Sequence, residues 1–212
     1  MPTLCFDEDT ELAGTMPSGF DFELSGTGYA EPTAVGALDG NRLCFQELTG
    51  FPAAFGASWY ASGVFFLAAS GSNNDAIGFV LADSATEHVT IQYRRNGNFD
   101  GLGGPAYGIG VVRWSGGVKT VEDYVGYAPA GTVTIAVWRS GSSLKVAFLP
   151  GPAAHEDFSD PAGNGGAIIA DVTISNLTKF GLMFATGVSY SPSVHVANLC
   201  ITGTQGLAPP WE

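Results

Sequence analysis

The sequence predicts an all-β fold of short antiparallel strands, on three observations. Apolar residues alternate with polar ones at period two, as where Phe20, Phe22 and Leu24 enclose Asp21 and Glu23. Other apolar runs are β-branched or aromatic, only a few residues long, and bounded by Gly, Asn, Ser or Pro. No window sustains an amphipathic 3.6-residue period, and 30 Gly and 12 Pro in 212 residues punctuate the chain too densely for long elements. About twelve strands fit, at the 8 to 12 residue spacing of sandwiches and barrels. A chain of this length with 45% hydrophobic content buries one core. One β-sandwich domain over 1–203 is therefore expected, with 204–212 an extended C-terminal arm, because Pro209-Pro210 cannot continue a ladder.

The elements follow in order. Near the start, Leu4-Cys5-Phe6 reads as a short apolar strand, and Leu43-Cys44-Phe45 and Leu199-Cys200-Ile201 nearly repeat it. The uncharged stretch Leu48 to Asn74 is long enough to cross a bilayer, but Gly50, Pro52, Gly56, Ser58 and Gly63 interrupt it, so it reads as loop plus strand. Strand-like runs then recur at Val64–Leu67, Ile77–Leu81, Val89–Tyr93 and Gly110–Val112, and again at Lys145–Leu149, Ala167–Ile174, Phe180–Phe184 and Val194–Ile201. The clearest unit is Thr132 to Pro150, where "TVTIAVWR", the polar turn "SGSS" and "LKVAFLPG" make a hairpin.

Charge and cysteine content narrow the function. Eight basic against 20 acidic residues give a net charge of −12, which repels phosphate backbones and anionic lipid, so neither nucleic-acid binding nor membrane insertion is expected. The first basic residue is Arg42, so the N-terminal region lacks the n-region of an export signal. Three cysteines without a Cys-x-x-Cys spacing read as reduced, buried small hydrophobes rather than disulfides or metal ligands.

A resemblance adds to this reading. "NNDAIGFVLADS" (Asn73 to Ser84), preceded by "SGVFFLAAS", resembles the paired strands of L-type lectins and other concanavalin A-like domains. "VWRSGSSLKVAFLPG" is similar to the late hairpin of the laminin-G and glucanase branches of that superfamily. The resemblance implies an antiparallel jelly-roll sandwich of two large sheets, with the first and last strands side by side. On that arrangement Cys5 and Cys200 are near neighbours, with Cys44 close by on the same sheet. Asp75-Ala76 stands where the lectins carry Asp-Gly, and their downstream metal-binding run has no match.

Candidate sites divide into chemistry that fails and surfaces that bind. Asp7, Asp9 and Glu11 alternate and resemble the E-x-D-x-E of retaining glucanases, but Asp stands where the nucleophile Glu belongs, so a solvated acidic edge is expected. Gly101 to Ala106 fits a dinucleotide fingerprint with no helix to follow it. His88, His155 and His195 lack zinc spacing, and no G-x-S-x-G is present. "NGNFDGLGG" fails as an EF-hand because Tyr107 occupies the twelfth position, while Asn96, Asn98 and Asp100 form a looser candidate for Ca²⁺ or a glycan. Tyr107, Trp114, Tyr124 and Tyr127 read either as core or subunit contacts or as platforms for sugar rings, and Asp75 joins them as a glycan or partner residue.

A non-catalytic interaction protein is expected, with no cofactor apart from Ca²⁺ at that loop. The profile fits a phage virion surface component, a capsid decoration or cement or fibre protein made in a host cytoplasm and assembled as a homo-oligomer, a trimer in the favoured case. The alternative is a carbohydrate-binding module or degenerate glycan-active enzyme, extracellular in location.

Overall fold

The structure is a computed structural model. It describes residues 3–6, 22–24, 30–32, 37–38, 41–47, 58–67, 76–82, 87–95, 107–116, 118–126, 131–173, 179–185, 194–202 and 208–212, with side chains in 58–67, 76–81, 87–95, 107–116, 118–126, 131–173 and 208–212.

Fifteen strands run through the described residues. The first five are β1 (Thr3–Phe6), β2 (Phe22–Leu24), β3 (Ala30–Pro32), β4 (Ala37–Leu38) and β5 (Asn41–Glu47). Longer ones follow: β6 (Ser58–Leu67), β7 (Ala76–Ala82), β8 (His88–Arg95), β9 (Tyr107–Ser115) and β10 (Val118–Gly126). The last are β11 (Gly131–Ser140), β12 (Ser143–Pro150), β13 (Ala167–Thr173), β14 (Lys179–Ala185) and β15 (Val194–Thr202). They form two antiparallel sheets. An eight-stranded sheet runs β13-β12-β11-β6-β15-β3-β2, with β1 also paired to β15, and a seven-stranded sheet runs β10-β9-β8-β7-β14-β5-β4. This is a concanavalin A-like jelly-roll sandwich, as the strand motifs implied.

The uncharged stretch Leu48 to Asn74 contains β6, and the segment Thr132 to Pro150 forms the β11–β12 hairpin in register Ser140 to Ser143. Gly141 holds φ +60° in its turn, a conformation glycine adopts without strain. The strand-like runs noted from Val64 onward lie within strands, except that Ile174, the last residue of the run Ala167–Ile174, lies outside the described residues. Beyond β5 the strand that the pattern did not mark is β10, whose residues are mostly exposed along the sheet edge, so little burial imposes an apolar period; the short β3 and β4 went unmarked as well.

The first and last strands pair, with Cys5 opposite Cys200. Cys44 departs from expectation. It lies in the seven-stranded sheet, opposite Leu182, because β5 pairs with β4 on one side and with β14 on the other. Similar tripeptides thus served two different sheets, since an apolar strand of a sandwich reads alike on either one.

The core fills the space between the sheets. Ile77, Phe79 and Leu81 alternate inward from β7, Val89, Ile91 and Tyr93 from β8, and Ile109 and Val111 from β9. They meet Phe65 and Leu67 from β6, Val133, Ile135 and Val137 from β11, and Leu144, Val146 and Phe148 from β12. Phe65 and Phe79 join the sheets edge to face, 5.0 Å apart at 89°. Each such side chain contributes roughly 1.5–3 kcal/mol relative to exposure.

A second, smaller cluster covers the outer face of the eight-stranded sheet. Tyr60, Ala136, Trp138, Ala147 and Leu149 form its sheet side. The chain after β12 folds back over them because Thr134, a buried hydroxyl on that face, accepts from the Ala153 amide at 2.9 Å and donates to the Gly151 carbonyl at 2.6 Å. A 3₁₀ turn, His155–Ser159, then seats Phe158 fully buried on the face, with the Asp157 carboxylate accepting from the Ala154 amide at 2.8 Å. Residues 208–212, expected to leave as an arm, pack here: the Trp211 ring lies 4.7 Å from Trp138, edge on, and Lys145 pairs with Glu212. Pro209 and Pro210 stop a strand from forming, but they do not stop an indole from docking.

Candidate functional site

The outer face of the seven-stranded sheet has a different character. On β8 the residues alternating with the core-facing Val89, Ile91 and Tyr93 are His88, Thr90, Gln92 and Arg94, so every outward position is polar. Across from them β7 offers Ala76, Gly78 and Val80, and β9 offers Gly108, Gly110 and Val112, all small or aliphatic. Gly78 is obligatory: a Cβ there would run into the carbonyl oxygen of Ile91 on the neighbouring strand.

His88, Thr90 and Gln92 are buried, at 1%, 0% and 4% exposure, which makes their bonding decisive. Gln92 Nε2 donates to Thr90 Oγ1 at 2.7 Å, and Thr90 Oγ1 donates to the Val112 carbonyl at 3.4 Å. The His88 ring stacks on Trp114, its register partner on β9, at 5.8 Å and 11°. Trp114 is partly exposed, yet its Nε1–H is buried without a hydrogen-bond partner. Tyr124, partly exposed, sits opposite Gly110 and so on this face, about 13 Å along the strand direction from Trp114. Arg94 ends the row, and burial lowers its pKa from the ordinary value.

The aromatic candidates therefore separate. Trp114 and Tyr124 share the polar face. Tyr107 does not: it is 9% exposed in the inter-sheet core, 6.3 Å from Tyr93, with the Arg95 guanidinium 5.5 Å from its ring. Its alternation with Gly108 turned it inward. Asp75, Asn96, Asn98, Asp100 and Tyr127 lie outside the described residues, as do Asp7, Asp9 and Glu11. Among the described residues no three His, Cys, Asp or Glu side chains come together to hold a metal ion.

The β8 row is the feature that sequence reading passed over. Its signal was available, since polar side chains at 88, 90, 92 and 94 alternate strictly with apolar ones at 89, 91 and 93. That pattern ordinarily means a wet face, and nothing in it says that the polar side would be buried.

Comparison with known proteins gives the fold and no family: no family model matches the sequence, and no curated protein does. Solved structures do match. The exoplasmic/lumenal domain of VIP36 in its Ca²⁺-bound form superposes at TM-score 0.62 with 13% identity, over 98% of this chain and 93% of that one. Lectin I-B4 from Griffonia simplicifolia, in metal-free form, superposes at 0.58 with 12% identity, over 95% and 99%. A xylan β-1,4-xylosidase from Bacillus halodurans superposes at 0.58 with 9% identity, over 82% of this chain but 33% of its own, so the chain spans about a third of that enzyme.

Proposed function

We propose that the chain is a non-catalytic carbohydrate-binding module that engages a glycan at Trp114 and Tyr124, the partly exposed aromatics on the outer face of its seven-stranded sheet. The observation that carries this reading is Trp114, whose ring is fixed by stacking on His88 and whose Nε1–H has no partner, on the same face as Tyr124. Indole and phenol rings accept the C–H faces of sugar rings, and a buried donor without an acceptor costs about 1–3 kcal/mol that a sugar hydroxyl would recover. The likeness to two lectins supports the reading at the level of fold, and the likeness to a xylosidase keeps a glycan in view without assigning catalysis. A virion surface role draws no support from these neighbours.

The test is titration with xylo-, manno- and gluco-oligosaccharides, with and without Ca²⁺, by calorimetry. Saturable binding is expected for one of them, weakened on the order of tenfold in Trp114→Ala and Tyr124→Ala, with no release of reducing ends. Absence of binding to all three series sinks the proposal, as does binding that both variants leave untouched.

A further inference from the structure

The opposite sheet carries a cavity that this face does not involve. It encloses about 360 Å³, within the ~300–1,000 Å³ usual for small-ligand sites. It is lined by Ser58 at the start of β6, by Trp138, Ser140, Ser143 and Lys145 of the β11–β12 hairpin, and by Pro209 and Glu212.

The lining is mixed in a particular way. Lys145 Nζ meets Glu212 Oε1, and both side chains remain partly open, at 25% and 41% exposure. An ammonium beside a carboxylate offers donors and acceptors side by side, which matches a vicinal diol: one hydroxyl accepts from Lys145 while its neighbour donates to Glu212. Serine hydroxyls add further partners, and Ser143, which donates to Asp171 Oδ1 at 2.9 Å, is held as an acceptor. Charge is balanced. Lys145 and Arg139, whose Nε donates to the Gly141 carbonyl at 3.1 Å, are offset by Glu212 at the wall and Asp171 beside it, so a neutral ligand fits better than an anion. The wall is preformed, since Trp138 is 3% exposed and fixed by Tyr60 at 5.0 Å, Phe158 at 5.5 Å and Trp211 at 4.7 Å.

We infer that this cavity is a second saccharide site, of monosaccharide size, in which a 1,2-diol bridges Lys145 and Glu212. It stands on its own residues, whatever the seven-stranded sheet binds, and would make the module bivalent on opposite faces.

The methyl glycosides of glucose, galactose, mannose and xylose are the probes, followed by tryptophan fluorescence and saturation-transfer NMR. One of them is expected to give a saturable response that weakens about tenfold in Lys145→Met and disappears in Ser140→Leu, which fills the cavity from an exposed position. In Trp114→Ala a saturable response should persist and should still be lost when Ser140→Leu is added. No saturable response below ~50 mM, or one that survives both cavity variants, or one that Trp114→Ala alone abolishes, overturns the inference. The last outcome would leave the other face as a sugar site while removing this one.

Discussion

The two sheets face outward with opposite chemistry, although both outer faces are buried at their centres. On the eight-stranded sheet the face is Tyr60, Ala136, Trp138, Ala147 and Leu149, and the chain's own Phe158 and Trp211 pack on it. On the seven-stranded sheet the equivalent face is His88, Thr90 and Gln92 among glycines and small residues. Apolar residues under cover need no further account, because burial itself stabilises them. Polar residues under cover cost free energy unless they are bonded, and on β8 Thr90 and Gln92 meet that demand by bonding to each other and to the Val112 carbonyl. The contrast distinguishes a face shaped by packing from one whose composition packing does not explain.

The apolar face breaks first if its description is wrong. Phe158 is fully buried against Tyr60, Trp138 and Leu149, so Phe158→Ala should cost about 3–5 kcal/mol, read from the urea midpoint. Trp211 should lose its seat in the same variant, shifting tryptophan emission to the red. A cost below ~1 kcal/mol would mean that the cover is not part of the folded unit.

The polar face gives a smaller effect with a sharper meaning. Thr90→Val removes the acceptor of Gln92 Nε2 and leaves that amide buried with a partner lost, for about 1–2 kcal/mol. Adding Gln92→Leu removes the stranded amide, so the double variant should recover most of the stability. If the row serves a ligand, the recovered variant still binds oligosaccharide more weakly than the unsubstituted protein. Equal stability together with equal binding would reduce the row to a structural detail.

Legibility in the sequence followed the same division. Strands whose inner residues enter the core were readable, because the core imposes period two on Val133, Ile135 and Val137 as it does on Val89, Ile91 and Tyr93. Edge strand β10 was not, since most of its residues are exposed, and the sheet that Cys44 joins depends on pairing between distant segments, which local pattern does not encode. Of the site, Trp114 and Tyr124 were visible as aromatics. Their placement on one face, and that of Tyr107 on the other, required the β8–β9–β10 register. The docked tail was misread because prolines report what the backbone cannot do, whereas the contact is made by the side chain of Trp211.

The smallest effect tests how the apolar face handles the imidazole of His155. His155 Nε2 accepts the Trp138 Nε1–H at 3.2 Å and lies edge on to Tyr60 at 4.9 Å, so the arrangement needs the neutral imidazole. Burial lowers the pKa of His155 from 6.5, and the neighbouring Glu156 carboxylate pulls it back up. The sign follows. Below 6.5 the unfolded chain takes up the proton more readily than the folded one, so the stability due to neutral His155 is complete above that pH and is lost as pH falls through the lower folded value. His155→Gln keeps an acceptor for the indole and does not titrate, and its melting temperature should therefore fall less steeply below pH 6.5 than that of the unsubstituted protein. Glu156→Gln removes the opposing charge and should steepen the fall. Other groups titrating in this range cancel in the comparison, and identical slopes in all three proteins would show that the Trp138 contact does not depend on the charge of His155.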